Sequence, residues 1–204
     1  MLEELVASLI TGGTRLLTGA QARWLGCGPG REQRVYFANH ASHVDFILIW
    51  SVLPGSLRRR TRPVAAADYW SRGAVRRYLI RRVFRGVEIA RGGFERAHNP
   101  IAAMRRAIDE GSSLILFPEG TRGPGGEAQP FKAGIYHLAE ACAGLELVPV
   151  WIDNAYRVMP KGVPLPVPLL CSVAFGTPLR LEAGEGKPEF LERLRRSLME
   201  LGNL

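Results

Sequence analysis

The sequence predicts an α/β fold in which a single domain has a mixed, mostly parallel central sheet flanked by helices. Short apolar runs typical of buried strands alternate along the chain with helical patterns of about three turns. This alternation is typical of a sheet covered by helices. Apolar residues make up 47% and charged residues 23% of the 204-residue chain, and this balance argues against extended disorder and suits one domain.

The first element is an amphipathic helical segment. Leucine, isoleucine and valine recur at helical spacing from Leu2 to Leu17, and the pair Gly12-Gly13 interrupts them. We therefore expect two short helices or a kink. Such a stripe is typical both of a core helix and of a helix that lies in a membrane surface.

Turn residues and apolar periodicity place the remaining elements. A glycine-rich turn at residues 26–30 separates an N-terminal helical segment (1–30) from the main domain (31–204). Strands are predicted over residues 34–38, 63–67, 86–91, 114–117, 145–152 and 169–176. Helices are predicted over residues 46–53, 70–84, 99–111, 132–143 and 188–202, with a proline-rich connection at 160–168.

Three predicted strands end in unusual polar groups. Asn39-His40 follows the first strand, Arg91 ends the third, and Glu119–Arg122 follows the fourth. In open α/β sheets, ligands bind beyond the carboxyl ends of the strands. These groups supply a base, a carboxylate and two arginines that can grip an oxyanion through paired hydrogen bonds. They predict a site for a phosphate-bearing substrate that has a proton to remove.

The stretch Asn39–Phe46 lies between two apolar segments and has two interpretations. In one, His40 acts as a base near neutral pH and Asp45 holds its tautomer. His40 must then lie in the turn before the helix, with Ser42 as N-cap, because five residues along a helix separate two side chains by about 140°. In the other, Ser42 and Asp45 form a variant of the capping box. We expect that an Asp45 carboxylate bonded to His40 does not also bond the Ser42 N–H.

The formal net charge of +8 is concentrated in an arginine-rich stretch. Between residues 58 and 106, 14 arginines are opposed by three carboxylates, Asp68, Glu88 and Glu95. Such a field attracts phosphates, which anionic lipids, nucleotide-type cofactors and nucleic acids all carry. A plain solvated face is the alternative. We expect no nucleic-acid binding, because the sequence lacks aromatic-basic interleaving and any recognised nucleic-acid module.

Several classes of protein and site are disfavoured. No segment approaches the roughly 20 apolar residues that a membrane span requires, and acidic Glu3 and Glu4 stand where a secretion signal would be positive. The three cysteines are far apart, which favours a reducing compartment. No histidine, cysteine and aspartate residues have metal-ligand spacing, so we expect no metal. The remaining histidines, His43, His98 and His137, are interpreted as capping, surface or helix residues.

Four blocks in the middle of the chain, across about residues 35–152, carry a resemblance. In order they are Asn39-His40-x-x-x-x-Asp45, Gly86–Arg91, Phe117–Arg122 (F-P-E-G-T-R) and Val148–Val150, with Phe131-Lys132-x-Gly134 after the third. Together they resemble the glycerolipid acyltransferase family, the 1-acylglycerol-3-phosphate acyltransferases and their relatives. The H-x-x-x-x-D pattern alone is weak, and its combination with F-P-E-G-T-R is specific. Gly123 stands where the family often has serine.

The resemblance implies transfer of a fatty acyl group from acyl-CoA or acyl-carrier protein to the free hydroxyl of a lysophospholipid. The expected acceptor is 1-acylglycerol-3-phosphate, which gives phosphatidic acid, and no permanently bound cofactor is implied. His40 is implied as general base, with Asp45 orienting it. The residues implied to hold the phosphate-bearing acceptor are Arg91, Glu119, Gly120, Thr121 and Arg122. Further candidates for the site are Asn39, Ser42, Lys132 and Pro149.

The resemblance also implies that residues 31–204 form the acyltransferase domain of a peripheral, monotopic enzyme. Its expected place is the cytoplasmic side of the cell membrane, with the anionic membrane surface as a partner. The alternative is a non-catalytic peripheral protein that docks on anionic membrane through its arginine-rich face. Liposome binding without consumption of a thioester would favour this alternative.

Overall fold

The computed structural model describes residues 1–42, 44–90, 99–123, 127–154 and 170–204. Within these ranges, seven strands form a sheet that has helices packed on both faces. The predicted fold class, a mixed and mostly parallel sheet flanked by helices with a helix at the N-terminus, is therefore confirmed.

The strand order places β2 in the middle of the sheet. The strands are β1 (Gln21–Trp24), β2 (Arg34–Ala38), β3 (Thr61–Ala66), β4 (Val87–Ile89), β5 (Ser113–Leu116), β6 (Glu146–Ile152) and β7 (Ser172–Phe175). They are arranged as β1-β7-β6-β2-β5-β3-β4. All neighbours are parallel except β6 and β7. The residues that follow β2, β3, β4 and β5 therefore leave the sheet on the same side, at the carboxyl ends of the strands.

The helices vary in length from one turn to more than four. They are α1 (Leu2–Thr18), α2 (Asp45–Val52), α3 (Gly55–Arg58), α4 (Ala67–Trp70), α5 (Ala74–Tyr78), α6 (Pro100–Asp109), α7 (Gly134–Ala141) and α8 (Lys187–Gly202). A π-helical turn, Leu79–Val83, continues α5. None of the described helices is both long and apolar enough to cross a membrane.

β2 is the rigid centre of the fold because its side chains enter two cores. All five of its residues are buried. Tyr36 and Ala38 pack in the core on the side of α1 and α2, whereas Val35 and Phe37 pack in the core on the side of α6, α7 and α8. Each fully buried apolar side chain contributes about 1.5–3 kcal/mol, so the strand that leads into His40 is firmly held.

α1 is one continuous helix, so the predicted division into two short helices at Gly12-Gly13 is wrong, whereas the alternative of a kink stays a prediction. It ends at Gly19, whose φ of 56° is left-handed. Each glycine in a helix interior costs about 1 kcal/mol relative to alanine. The packing of Val6 and Ile10 against the core opposes that cost, and the helix therefore continues through both glycines.

β1 is an edge strand that the sequence argument missed. It pairs in parallel with β7, from Gln21 opposite Ser172 to Trp24 opposite Phe175, and the Trp24 and Phe175 rings stack with centroids 4.1 Å apart. Because β1 lies within residues 1–30, the predicted helical segment contains a strand of the sheet. The division of the chain at residue 30 stays a prediction.

The single helix predicted over residues 70–84 is also wrong. α4 ends at Trp70 and α5 begins at Ala74. Gly73 lies between them with a φ of 84°, which no right-handed helix contains. The basic segment is therefore two short helices and a π-helical turn that ends at Val83.

Candidate active site

The carboxyl ends of β2 and β5 bring two polar segments together. β2 leads into Asn39-His40, and β5 leads into residues 117–123. Since the two strands are parallel neighbours, both segments leave the same edge of the sheet, where ligands of α/β proteins bind.

Asn39 anchors the first of these segments. Its side chain is buried, donates a hydrogen bond to the Ile152 carbonyl oxygen at 3.0 Å and accepts one from the Ile152 N–H at 2.8 Å. This reciprocal pair extends the contact between β2 and β6 by one residue. Asn39 thus holds the backbone that precedes His40 and does not line the cavity described below.

His40 and Asp45 form a bonded pair at the start of α2. His40 Nδ1 lies 2.8 Å from Asp45 Oδ2. His40 is in the turn before the helix, as the catalytic interpretation requires, and Asp45 is the first helical residue. The Asp45 side chain is 1% exposed, so water does not compete with the histidine for this carboxylate oxygen.

The prediction that Ser42 is the N-cap of α2 is wrong. The N-cap is Val44, and Ser42 Oγ accepts a bond from the Val44 N–H at 3.4 Å. Asp45 Oδ2 accepts bonds from the backbone N–H groups of Ala41 and Ser42, each at 2.8 Å. The expectation that Asp45 cannot bond both His40 and the Ser42 N–H is therefore also wrong, because one oxygen accepts all three donors.

These three donors indicate the tautomer of His40. The Ala41 and Ser42 N–H groups can only donate, so Asp45 Oδ2 is an acceptor and we assign the shared proton to His40 Nδ1. Nε2 then keeps its lone pair. The His40 ring also stacks on Phe117, with centroids 4.3 Å apart. An imidazole held in this way can accept a proton from a ligand.

The segment after β5 holds the His40 backbone from both sides. Glu119 Oε1 accepts a bond from the His40 N–H at 2.8 Å. The Gly123 N–H donates to the His40 carbonyl oxygen, also at 2.8 Å. The position of His40 therefore depends on the F-P-E-G-T-R loop as well as on Asp45.

Glu119 contacts the protein and not the cavity. Its side chain is 3% exposed and does not line the cavity, whereas the next three residues do. Burial raises the pKa of Glu119, and the backbone N–H groups of His40 and Gln129 act against that increase. A buried carboxylate with backbone donors is placed to fix a loop.

Gly120 and Lys132 pack against each other. Gly120 has a φ of 71°, a left-handed conformation that glycine adopts without strain. A Cβ on Gly120 would lie 2.7 Å from Lys132 Nζ, so a larger residue would displace the lysine side chain. The Lys132 N–H donates to the Pro118 carbonyl oxygen at 2.8 Å, which ties Lys132 to the same loop.

A cavity of about 860 Å³ opens beside His40. Among the described residues, four basic ones line it: His40, Arg122, Lys132 and His137. The described lining contains no carboxylate, and within the part of the chain that the structure describes neither Arg122 nor Lys132 makes an ion pair. A wall that carries these two cations favours an anionic ligand.

The rest of the cavity lining is mainly apolar. It includes side chains from β3, α4, β4 and α6, namely Val64, Ala65, Trp70, Ile89 and Met104. Phe46, which also lines the cavity, packs edge to face on Trp70 and Phe84, with centroids 5.6 and 5.0 Å away. The cavity volume lies within the range of about 300–1,000 Å³ typical of ligand sites. The cavity therefore combines a cationic end with an apolar wall.

Some predicted site residues are not brought to the cavity. Ser42 is fully buried in the turn before α2, and Pro149 lies inside β6; neither lines the cavity. Arg91, His43 and His98 lie outside the described residues. Across the described ranges, no group of histidine, cysteine, aspartate and glutamate side chains could hold a metal ion.

His137 is a cavity residue that the sequence argument missed. It lies on α7, which begins two residues after Lys132, and it lines the cavity together with Gly134. Residues three apart on a helix share a face. Helical spacing after the F-K-x-G segment was therefore the signal that could have found it.

Comparison with known proteins identifies the family. The profile of the family described as Acyltransferase matches residues 26–153, which is more than half of the chain and includes the His40–Asp45 pair and the F-P-E-G-T-R loop. This chain belongs to the acyltransferase family. The predicted resemblance to the glycerolipid acyltransferases is confirmed.

Two similar relatives within the family are named for the same activity. The 1-acyl-sn-glycerol-3-phosphate acyltransferase of Cocos nucifera is 30% identical over 165 residues, which cover 72% of this chain and 51% of the relative. The enzyme of that name from Haemophilus influenzae is 29% identical over 133 residues, covering 62% of this chain and 50% of the relative. The chain thus spans about half the length of the curated relatives it matches.

A solved structure supports the fold. The crystal structure of the 1-acyl-sn-glycerophosphate (LPA) acyltransferase PlsC from Thermotoga maritima superposes with a TM-score of 0.75, covering 97% of this chain and 78% of that one. The sequence identity is 21%, so this likeness shows the shared acyltransferase fold.

Proposed function

We propose that this chain transfers a fatty acyl group from a thioester to the free hydroxyl of 1-acylglycerol-3-phosphate, giving phosphatidic acid. The observation that carries the proposal is the His40–Asp45 pair beside a cavity with a cationic end and an apolar wall. A lysophosphatidic acid has matching parts: a phosphate, a hydroxyl and an alkyl chain. The names of the family relatives support the same acceptor.

In the proposed reaction, His40 is the general base. As the acceptor hydroxyl oxygen attacks the thioester carbonyl carbon, His40 Nε2 takes the hydroxyl proton. The new C–O bond forms, the C–S bond breaks, and the imidazolium gives its proton to the departing thiolate, so the products are an ester and a free thiol. Asp45 stabilises the imidazolium through the 2.8 Å bond to Nδ1. Proton transfer by a positioned group contributes on the order of 10²–10⁴ in rate.

Arg122 and Lys132 bind the acceptor phosphate in this proposal. The arginine can form two parallel hydrogen bonds to phosphate oxygens, and the lysine contributes a compact charge. Thr121 adds a hydroxyl at the same end of the cavity, and Gly120 leaves space for the lysine side chain. The Arg91 side chain is expected to bind the same phosphate with a second guanidinium group.

Glu119 is proposed as a positioning residue. The resemblance implies a place among the groups that hold the acceptor, but a buried carboxylate repels a phosphate. Its bond to the His40 N–H favours a different role, in which Glu119 keeps the base in place while Arg122 contacts the substrate.

The acyl donor is proposed to be acyl-CoA or acyl-carrier protein. Both carriers present the same thioester to His40, and neither requires a permanently bound cofactor. A comparison of the two donors at equal acyl-chain length distinguishes them.

The outward face of α1 supports a peripheral position at an anionic membrane. Leu5, Leu9 and Leu16 are 58%, 65% and 87% exposed and lie on one side of the helix. The Arg82 guanidinium lies 3.5 Å from the Glu3 carboxylate, so the π-helical turn of the arginine-rich segment contacts the N-terminal end of α1. Exposed leucines on a chain with a net charge of +8 fit the boundary between acyl chains and anionic headgroups, and we propose that the chain lies at the cytoplasmic side of the cell membrane.

An acceptor panel tests the proposed activity. The purified chain is supplied with acyl-CoA or acyl-carrier protein and with 1-acylglycerol-3-phosphate, a lysophospholipid with a phosphodiester headgroup, or 1-acylglycerol. We expect the phosphate monoester to be the best acceptor, because Arg122 and Lys132 meet the largest negative charge on it. Absence of transfer to 1-acylglycerol-3-phosphate from either donor contradicts the proposal.

Vesicle sedimentation tests the membrane position. We expect stronger binding to phosphatidylglycerol vesicles than to phosphatidylcholine vesicles, and weaker binding after Leu9→Glu. Ser8→Glu is the matched control, because it adds the same charge to an exposed position about 100° around the helix. Equal binding by both variants argues against α1 as the docking element. Vesicle binding without thioester consumption favours the non-catalytic alternative.

A further inference from the structure

His137 and Glu140 form a second histidine–carboxylate pair at the cavity. His137 Nδ1 lies 2.9 Å from Glu140 Oε2, almost the same distance as that between His40 Nδ1 and Asp45 Oδ2. The pair lies on one face of α7, and His137 lines the same cavity as His40. The proposed reaction does not use this pair.

The two pairs differ in exposure, and this difference separates their roles. The His137 and Glu140 side chains are 44% and 45% exposed, whereas Asp45 is 1% exposed. Water screens an exposed pair and allows it to open. The His137–Glu140 pair is therefore badly suited to hold a base in one orientation, but it can present a hydrogen-bond donor to an anion.

We infer that His137 binds a substrate phosphate together with Arg122 and Lys132. The Glu140 carboxylate is bonded to Nδ1, which leaves Nε2 as the ring nitrogen for a ligand. In the imidazolium form, Nε2–H donates to a phosphate oxygen and Glu140 compensates the charge from behind. The phosphate is then held from two sides, by the F-P-E-G-T-R loop and Lys132 and by α7.

The identity of the substrate in this inference rests on the proposed function. The phosphate belongs either to the lysophosphatidic acid acceptor or to the carrier portion of the thioester donor. Both present a phosphate group to the same basic wall, in which the described lining contains no carboxylate.

Ring resonances of the histidines test phosphate binding without relying on turnover. The full chain is labelled with ¹⁵N-histidine, and the His137 signals are assigned by their loss in His137→Gln. We expect either 1-acylglycerol-3-phosphate or coenzyme A to shift them saturably, and 1-acylglycerol, which lacks the phosphate, to leave them in place. His137 signals that neither phosphate ligand shifts, or that 1-acylglycerol shifts equally, overturn the inference. A saturable shift in a chain that transfers no acyl group upholds the inference and contradicts the proposed function.

Steady-state kinetics then identify which substrate carries the phosphate. Because water screens the half-exposed His137 and weakens its hydrogen bond to a charged group, we expect His137→Ala to raise one KM about five- to tenfold, with kcat within about twofold. A rise in the acceptor KM assigns the phosphate to the lysolipid, and a rise in the thioester KM assigns it to the donor. His137→Lys, which keeps a cation, restores most of the affinity, and Glu140→Gln has a smaller effect. A fall in kcat with both KM values unchanged contradicts phosphate binding.

Discussion

Replacing Asp45 with asparagine separates the charge of this residue from its shape. The asparagine oxygen can accept the two bonds that the Ala41 and Ser42 N–H groups donate to Asp45 Oδ2 at 2.8 Å. The amide lacks the charge that stabilises the His40 imidazolium. His40 Nδ1 contacts the same oxygen, so the asparagine oxygen keeps the His40 tautomer while the stabilising charge is lost.

The expected effect on activity is much larger than the effect on stability. Asp45→Asn should lower kcat by on the order of 10³, within the range that a positioned general base contributes. The free energy of unfolding should change by less than in Asp45→Ala, which loses both backbone bonds at about 1–1.5 kcal/mol each. The free energy of unfolding of Asp45→Ala should therefore be about 2–3 kcal/mol lower than that of the wild type.

Initial rates of thiol release, measured beside urea unfolding curves, check this separation. Asp109→Asn is the control, because it makes the same chemical change at an exposed position on α6 and should leave both quantities unchanged. If Asp45→Asn retains more than about half of the wild-type kcat, the charge of Asp45 does not support the base, and the proton-transfer reasoning fails.

Two further changes test the loop that holds His40. Because burial raises the pKa of Glu119, its folded pKa lies above the unfolded one. The stability of the wild type relative to Glu119→Gln should therefore be greatest below the ordinary value of 4.5 and fall as pH rises through the folded value. Urea unfolding of both proteins from about pH 4 to about pH 8 measures this difference, and a constant or rising difference would count against a buried Glu119. Gly120→Ala should lower the free energy of unfolding by about 1–2 kcal/mol, because residue 120 has a left-handed φ. The same change should raise the acceptor KM, because the added Cβ displaces the Lys132 side chain. Gly12→Ala should raise the free energy of unfolding by about 0.5–1 kcal/mol, because Gly12 lies inside α1 and a Cβ there meets no other atom within 4 Å. A change of the same sign in the free energy of unfolding of both alanine variants would refute this contrast.

The sequence predicted the parts of the fold that depend on local patterns. Short apolar runs identified β2, β5 and β6, because these strands are almost entirely buried on both faces. β1 was not predicted because its four residues do not form an apolar run. It forms a strand by pairing with β7, which lies about 150 residues later in the chain. Such a long-range partner leaves no mark on the local sequence.

The same limit applies to the candidate site. His40, Asp45 and the F-P-E-G-T-R loop were visible because they follow strands whose carboxyl ends share an edge. His137 was not identified, because its helical spacing from Gly134 predicts a shared face, and the packing of α7 decides that this face meets the cavity. The expectation of one partner for Asp45 failed because a carboxylate oxygen in a tight turn accepts several donors at once.

The central claim is that His40 Nε2 removes the proton of the acceptor hydroxyl. The most direct measurement is kcat for His40→Ala at saturating donor and acceptor, on protein whose unfolding curve matches that of the wild type. We predict a loss on the order of 10²–10⁴-fold with the acceptor still bound. A folded His40→Ala variant that keeps the wild-type rate would contradict the claim.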